Sequence, residues 1–310
     1  MAFSGVLRPG HVMLRVLDME ASLFHYKELI GLQETGRDDK GRVYLKGWDE
    51  HDHHSVVLIE ADAPGMDHMA FKVLNVDALA DFEKRLEAYG CEVKRIPAGE
   101  QLATGQRIRF EIPTGHQIEL YAEKERVGNG LPDTNPDVWP DGLKGMHPTR
   151  FDHCLVWGDD VKGSTELFTR VLGFSLTEQI VSKKGPDGQL LGAFLSCSNK
   201  PHDIAFIHAD GKNWFHHVSF WLNSWDEVRV AADIIAKNKV PVEYGPGRHG
   251  ITRGLTIYFF DPSGNRNEVF SEGYFYYPDH PTITWTADEL GKGIFYYGGK
   301  MVESFSTAHT

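Results

Sequence analysis

His153, His217 and Glu268 occupy related positions in a chain that repeats itself. Each histidine opens a strand-like apolar run, and the glutamate lies on the strand that closes the repeat, after the turn DPSGNRNE. Two neutral imidazole nitrogens and one carboxylate form a facial set on a divalent metal and leave its other positions open. Non-haem Fe(II) is the metal most associated with that set, and the same donors accept Mn(II). The chain has 16 histidines, so residue type alone decides nothing. A lone histidine at a strand start is more often a hydrogen-bonded structural residue. Register singles these three out.

The repeat supplies that register. GHVMLRVLDMEASLFHYKELIGL (10–32) matches DHCLVWGDDVKGSTELFTRVLGF (152–174): a histidine on a short strand, an acidic turn, then an amphipathic helix ending in glycine. HSVVLIEADAPGMDHMAFKV (54–73) matches HDIAFIHADGKNWFHHVSFWL (202–222), and GQRIRFEIPTGHQIELYAEK (105–124) matches GLTIYFFDPSGNRNEVFSEG (254–273). A Pro/Gly/Asp-rich stretch at 128–142, GNGLPDTNPDVWPDG, separates the two copies. Each copy is doubled again by a second strand and helix, over 76–90 and 225–239. The pattern predicts an α+β protein of four βαβββ modules in two tandem domains, 1–145 and 146–310. Along NWFHHVSFWL (213–222), strand alternation predicts that His217 faces the metal with Ser219 and Trp221, and that His216 points to the opposite layer.

Composition narrows the function classes. The 310 residues suit two domains, and a net charge of −12 argues against a nucleic-acid partner. No apolar run reaches the roughly 20 residues a membrane helix needs. Cys91, Cys154 and Cys197 lack metal or redox spacing and read as reduced, buried thiols. The start, MAFSGVLRPG, has no signal-peptide character, so a cytoplasmic location is expected.

RPGHVMLRVLDM, LKGM (143–146), RFDH, HDIAFIH, HHVSF, RHGITRG and TIYFFDPSGNRNEVF resemble segments of the type I extradiol dioxygenases of the vicinal oxygen chelate superfamily, in particular the catechol 2,3-dioxygenase group. The resemblance covers essentially the whole chain. It implies Fe(II) on His153, His217 and Glu268, which chelates a catechol through its vicinal oxygens and activates O2. The implied product is a 2-hydroxymuconic semialdehyde, from catechol or an alkylcatechol. By the same resemblance His202 is the acid/base imidazole, His249 hydrogen-bonds a substrate oxygen and Tyr258 donates to the substrate. The segment 281–305 closes over the pocket mouth, Ile251, Thr252, Ile294 and Phe305 line it, and the enzyme is a homotetramer. On pattern alone His249 reads as a loop residue, and Tyr258, Ile294 and Phe305 read as packing. Isomerases and lyases of the glyoxalase kind share such a fold. The combination of the triad with His202, His249 and Tyr258 separates the oxygenase reading from them, and from a ligand-sequestering protein that needs no triad.

The first half keeps His11, His68 and Glu119 at the matching positions, and His54 where the second half has His202. Arg109 stands where the second half has Tyr258, and Glu100 where it has His249. A fixed cation beside a divalent ion opposes its binding. The first half is therefore expected to be catalytically dead, with a vestigial or weak metal site.

Overall fold

A computed structural model describes residues 5–310; the first four positions of the expected 1–145 unit, and of the start read above, lie outside the described residues. The first module comprises β1 (Val6–Val16), α1 (Met19–Leu23) continuing as a π-helix (Phe24–Ile30), β2 (Gln33–Arg37), β3 (Val43–Lys46) and β4 (Val56–Glu60). The second comprises β5 (Gly65–Val73), α2 (Val76–Tyr89), β6 (Lys94–Ile96), β7 (Arg107–Glu111) and β8 (Gln117–Tyr121). The third comprises β9 (Arg150–Gly158), α3 (Val161–Arg170), β10 (Ser175–Val181), β11 (Leu190–Ser196) and β12 (Ile204–His208). The fourth comprises β13 (Trp214–Trp221), α4 (Trp225–Lys237), β14 (Val242–Arg248), β15 (Gly254–Phe260) and β16 (Arg266–Glu272). All four predicted βαβββ modules are present.

Each pair of modules builds one mixed sheet. The order is β2-β3-β4-β1-β5-β8-β7-β6 in the first and β14-β15-β16-β13-β9-β12-β11-β10-β17 in the second. Two modules therefore meet at a central antiparallel pair of their first strands, β1 with β5 and β9 with β13. The tail adds β17 (Ile283–Thr286), which pairs parallel with β10, then a 3-10 turn (Ala287–Glu289), α5 (Leu290–Ile294) and α6 (Glu303–Thr307). The edge strand was not foreseen.

Helices cover one face of each sheet. On β9, Cys154 and Val156 join the large core, whereas Leu155 and Trp157 belong to a separate cluster on the other face. The large core is continuous across both sheets. Phe168 of α3 meets Phe71 of β5 edge to face at 6.0 Å, and Tyr26 OH in the π-helix donates to Asp261 Oδ2 at 2.9 Å. Caps agree with local sequence: Asn75 and Ser224 accept the N-terminal amides of α2 and α4, and Gly90 ends α2 at φ 100°. No helix among the described residues is long and apolar enough to cross a membrane.

Beta-bulges interrupt both central pairs. Phe215 pairs with Val156 and His217 with Leu155, so His216 is an extra residue on β13. Ser219 pairs with His153 and Phe220 with Phe151, so Asp152 is extra on β9. In the first sheet Asp67 and Gly10 are extra in the same way. Every one of these residues directly precedes a histidine of a candidate triad.

Candidate metal centre

The bulges correct one expectation. His216 does not point to the opposite layer. An extra residue resets the alternation, so His216 and His217 both line the same cavity as His153 and Glu268. Ser219 is on that side, as expected, and its hydroxyl donates to Glu268 Oε2 at 2.7 Å. Trp221 follows on the same parity and packs edge to face on Phe270 at 5.0 Å.

Three buried ligand atoms converge. His153 Nε2 lies 3.1 Å and His217 Nε2 lies 3.5 Å from Glu268 Oε2, and the two nitrogens are 3.3 Å apart. Adjacent ligands on an octahedral ion with bonds of about 2.1 Å stand about 3 Å apart, so the spacing fits a facial triad. The hydrogen bonds behind the ligands fit as well. His153 Nδ1–H donates to Asp152 Oδ2 at 3.0 Å, and His217 Nδ1 lies 2.7 Å from His216 Nδ1. With protons on Nδ1, both Nε2 atoms present lone pairs toward a carboxylate. Three acceptors aimed at one point repel each other unless a cation lies between them. Glu268 Oε1 also accepts from Thr256 Oγ1 at 2.6 Å. Burial would raise the Glu268 carboxyl, but the imidazoles of His153, His249 and His217 around it hold it well below the usual range.

The cavity is about 550 Å³, and most of its wall is apolar. His202, His249, Tyr258, Ile251, Thr252, Ile294 and Phe305, all expected at the site, line it with the triad. The ring of His202 lies 4.0 Å from that of His153, and burial, aided by His153, pushes its pKa well below the usual value. His249 Nδ1–H is committed to the Ile294 carbonyl, and its Nε2 lies 3.0 Å from Tyr258 OH. Burial and the nearby Glu268 push the Tyr258 phenol well up, so it stays protonated and can donate. Leu155, Trp157, Ile180, Phe194 and Phe270 complete an apolar wall, and no Lys or Arg is among the lining residues. Sequence reasoning missed Asp152, Thr256 and Trp157. Asp152 was within reach, because a carboxylate next to a ligand histidine is a common orienting pair.

The first half forms the same triad and then fills it. His11 Nε2 and His68 Nε2 are 3.1 Å apart, and Glu119 Oε2 is 3.8 and 3.3 Å from them. Arg109 reaches Glu119 Oε1 at 2.7 Å, as its position suggested. Two further basic residues were not foreseen. Arg107 Nε lies 2.8 Å from Glu119 Oε2, an ion pair outside hydrogen-bonding geometry, and Lys124 Nζ lies 3.1 Å from His11 Nδ1. Glu100 pairs with Lys40, Arg42 and Arg107.

Residues 66–125 match the catechol 2,3-dioxygenase-like N-terminal domain, and residues 150–269 match the glyoxalase/bleomycin resistance protein/dioxygenase superfamily. The chain is 53% identical to a metapyrocatechase of Pseudomonas sp. (strain CF600), over 99% of both chains. It is 31% identical to a manganese-dependent 2,3-dihydroxybiphenyl 1,2-dioxygenase of Geobacillus genomosp. 3, over 94% of both. The crystal structure of a 2,3-dioxygenase from Pseudomonas sp. KL28 superposes with a TM-score of 0.89 at 50% identity, covering 93% of this chain and 99% of that one. Homoprotocatechuate 2,3-dioxygenase from Arthrobacter globiformis superposes at 0.88 with 26% identity, covering 99% and 92%. With His153, His217 and Glu268 placed so that they could hold a metal in a largely apolar cavity, and relatives of this kind along its whole length, the chain belongs to the extradiol ring-cleaving dioxygenases of the catechol 2,3-dioxygenase type.

Proposed function

We propose that this enzyme cleaves catechol or an alkylcatechol beside its hydroxyl pair, using Fe(II) and O2, to give a 2-hydroxymuconic semialdehyde. The observation that carries the reading is the convergence of His153, His217 and Glu268 in the wall of a largely apolar cavity. A divalent iron held by those three residues supplies Lewis acidity toward vicinal hydroxyls and redox capacity toward O2.

The protein's own groups do the rest. His249 Nε2 accepts, because its Nδ1 proton is bound to the Ile294 carbonyl, and Tyr258 OH donates; together they hold and orient one substrate oxygen. His202, kept neutral by burial, takes up and returns a proton at its imidazole during oxygen insertion. Ile251, Thr252, Ile294 and Phe305 grip the ring, and the tail excludes water. A substrate carboxylate finds no Lys or Arg partner on the lining, which favours rings with neutral substituents.

We assign catalysis to the unit 146–310 and a scaffolding role to 1–145. Exposed Trp139, Phe275, Tyr277, Tyr296 and Tyr297 are surface that a homotetramer would cover. The test is metal analysis of the purified enzyme, followed by admission of air to an anaerobic mixture with catechol. Iron near one atom per chain, stoichiometric O2 uptake and a yellow product are expected. Turnover only with manganese, which the same ligands accept, would replace iron in the reading; no O2 uptake with either metal would overturn it.

A further inference from the structure

His216 is buried in the cavity wall between Trp157 and Phe305, each 4.7 Å away ring to ring. Its two nitrogens have separate partners. Nδ1 lies 2.7 Å from Nδ1 of His217, and Nε2 lies 2.9 Å from the backbone carbonyl oxygen of Phe305. A carbonyl only accepts, so Nε2 carries the proton and Nδ1 is left as an acceptor. His217 Nδ1–H therefore donates to His216, and His217 Nε2 is the free lone pair that faces the triad. One tautomer satisfies every atom of the chain from Phe305 to the metal position.

The repeats give an independent comparison. In the first half the bulged residue before His68 is Asp67, whose Oδ1 accepts from His68 Nδ1–H at 2.6 Å. Before His153 it is Asp152, which does the same. At three positions, then, the bulged residue accepts the Nδ1 proton of the histidine after it. An aspartate ends the chain of bonds there. A histidine has a second nitrogen and passes the connection onward.

That connection leads to a tail fastened to the same strand. His309 stacks on Trp214 at 3.9 Å, and Thr310 exchanges two backbone hydrogen bonds with Phe215, of 3.0 and 2.7 Å. The Arg266 guanidinium, paired with Glu243, donates to the carbonyls of His216, Ser304 and Ala308. Phe305 in turn packs its ring on Tyr258 at 4.9 Å.

We propose that His216 is a positioning residue that ties the docked C-terminal tail to the metal ligand His217, so that tail closure and metal retention are coupled. The proposal rests on the assignment of His153, His217 and Glu268 as metal ligands. Seating Phe305 over the pocket fixes the His216 tautomer, and that tautomer holds the His217 ring with Nε2 toward the triad. Loss of either bond frees His217 to rotate.

Two variants test it. His216→Phe keeps a ring between Trp157 and Phe305 but has neither acceptor nor donor. His216→Asp recreates the arrangement of Asp67, accepting from His217 but unable to donate to Phe305. Fe(II) affinity is measured anaerobically by competition with a colorimetric chelator, alongside circular dichroism and the KM and kcat for catechol. Outer-shell partners of ligand histidines typically contribute about 10–100-fold in metal affinity, and that loss is expected for His216→Phe with the fold intact. For His216→Asp, Fe(II) affinity returns to within a few-fold of the parent while KM for catechol rises several-fold with kcat largely kept. A folded His216→Phe that binds Fe(II) within twofold of the parent overturns the link to His217. Unchanged KM in His216→Asp overturns the link to the tail, and remains informative where the Phe variant does not fold. If the parent itself binds no stoichiometric Fe(II), the underlying ligand assignment fails, which is a different result.

Discussion

Removing both imidazoles of the first-half triad, in a His11→Ala, His68→Ala double variant, is expected to leave catechol cleavage within about twofold of the parent. Twelve and ten positions before the carboxylate, the second half has Thr256 and Tyr258, and the first half has Arg107 and Arg109. Thr256 gives Glu268 one hydrogen bond, whereas the two guanidiniums approach Glu119 to 2.8 and 2.7 Å. A divalent ion among His11, His68 and Glu119 would lie roughly 4 Å from each guanidinium. At an effective dielectric constant of about 20, a unit pair at 4 Å interacts by about 4 kcal/mol, so a dication meets about 8 kcal/mol of repulsion per arginine. Two arginines then oppose binding by about 16 kcal/mol, as much as the roughly 10–16 kcal/mol a structural zinc site gains. The substitutions break the bonds His68–Asp67 and His11–Lys124, so a stability loss of about 1–3 kcal/mol is expected in denaturant unfolding. Metal per chain and kcat/KM are the measurements. Two metal ions per parent chain, or a tenfold or greater activity loss in a variant still folded, would refute the reasoning.

Three further outcomes are expected. Glu268→Ala removes the only protein anion of the second-half triad and should lose bound metal together with nearly all ring cleavage; full metal occupancy with normal turnover would contradict the ligand assignment. His202→Ala should keep its metal and lose about 10²–10⁴-fold in kcat, and a kcat unchanged between pH 6 and 9 would make His202 structural. His116 bridges the halves, with Nε2–H donating to the Trp214 carbonyl at 3.2 Å, and burial pushes its pKa from 6.5 down to about 4. Its contribution is present above pH 6.5 and is lost as the pH falls toward 4, at most about 3 kcal/mol, so urea midpoints should drop over that window in the parent and much less in His116→Gln.

What was legible in the sequence, and what was not, divides at the bulges. Strand and helix periods are local, so the modules and the helices 76–89 and 225–237 could be read directly. The triad was legible because duplicated strands place like residues alike, and the cavity residues followed from resemblance. The face of His216 was not legible. Alternation assumes unbroken pairing, and a bulge adds one residue without changing the local apolar pattern. Arg107 was missed for a related reason: a single cation in RIRF reads as a solvated strand position, yet only 1% of its side chain is exposed. Its burial depends on Glu119 and Glu100, contacts that no local pattern encodes. The bulge is also where the four modules have diverged most tellingly. Gly10, Asp67, Asp152 and His216 occupy it, each before a histidine that all four modules share. At Gly10 a Cβ would fall 2.4 Å from the Tyr121 ring, so no side chain can support His11, and Lys124 holds it from behind. In the second half both bulges carry a side chain that accepts a proton from the ligand. Ligand types alone thus do not separate the two halves. Asp67 even serves His68 as Asp152 serves His153; what differs is Gly10, which gives His11 no such acceptor, and the pair Arg107 and Arg109, which occupies the carboxylate that a metal would need.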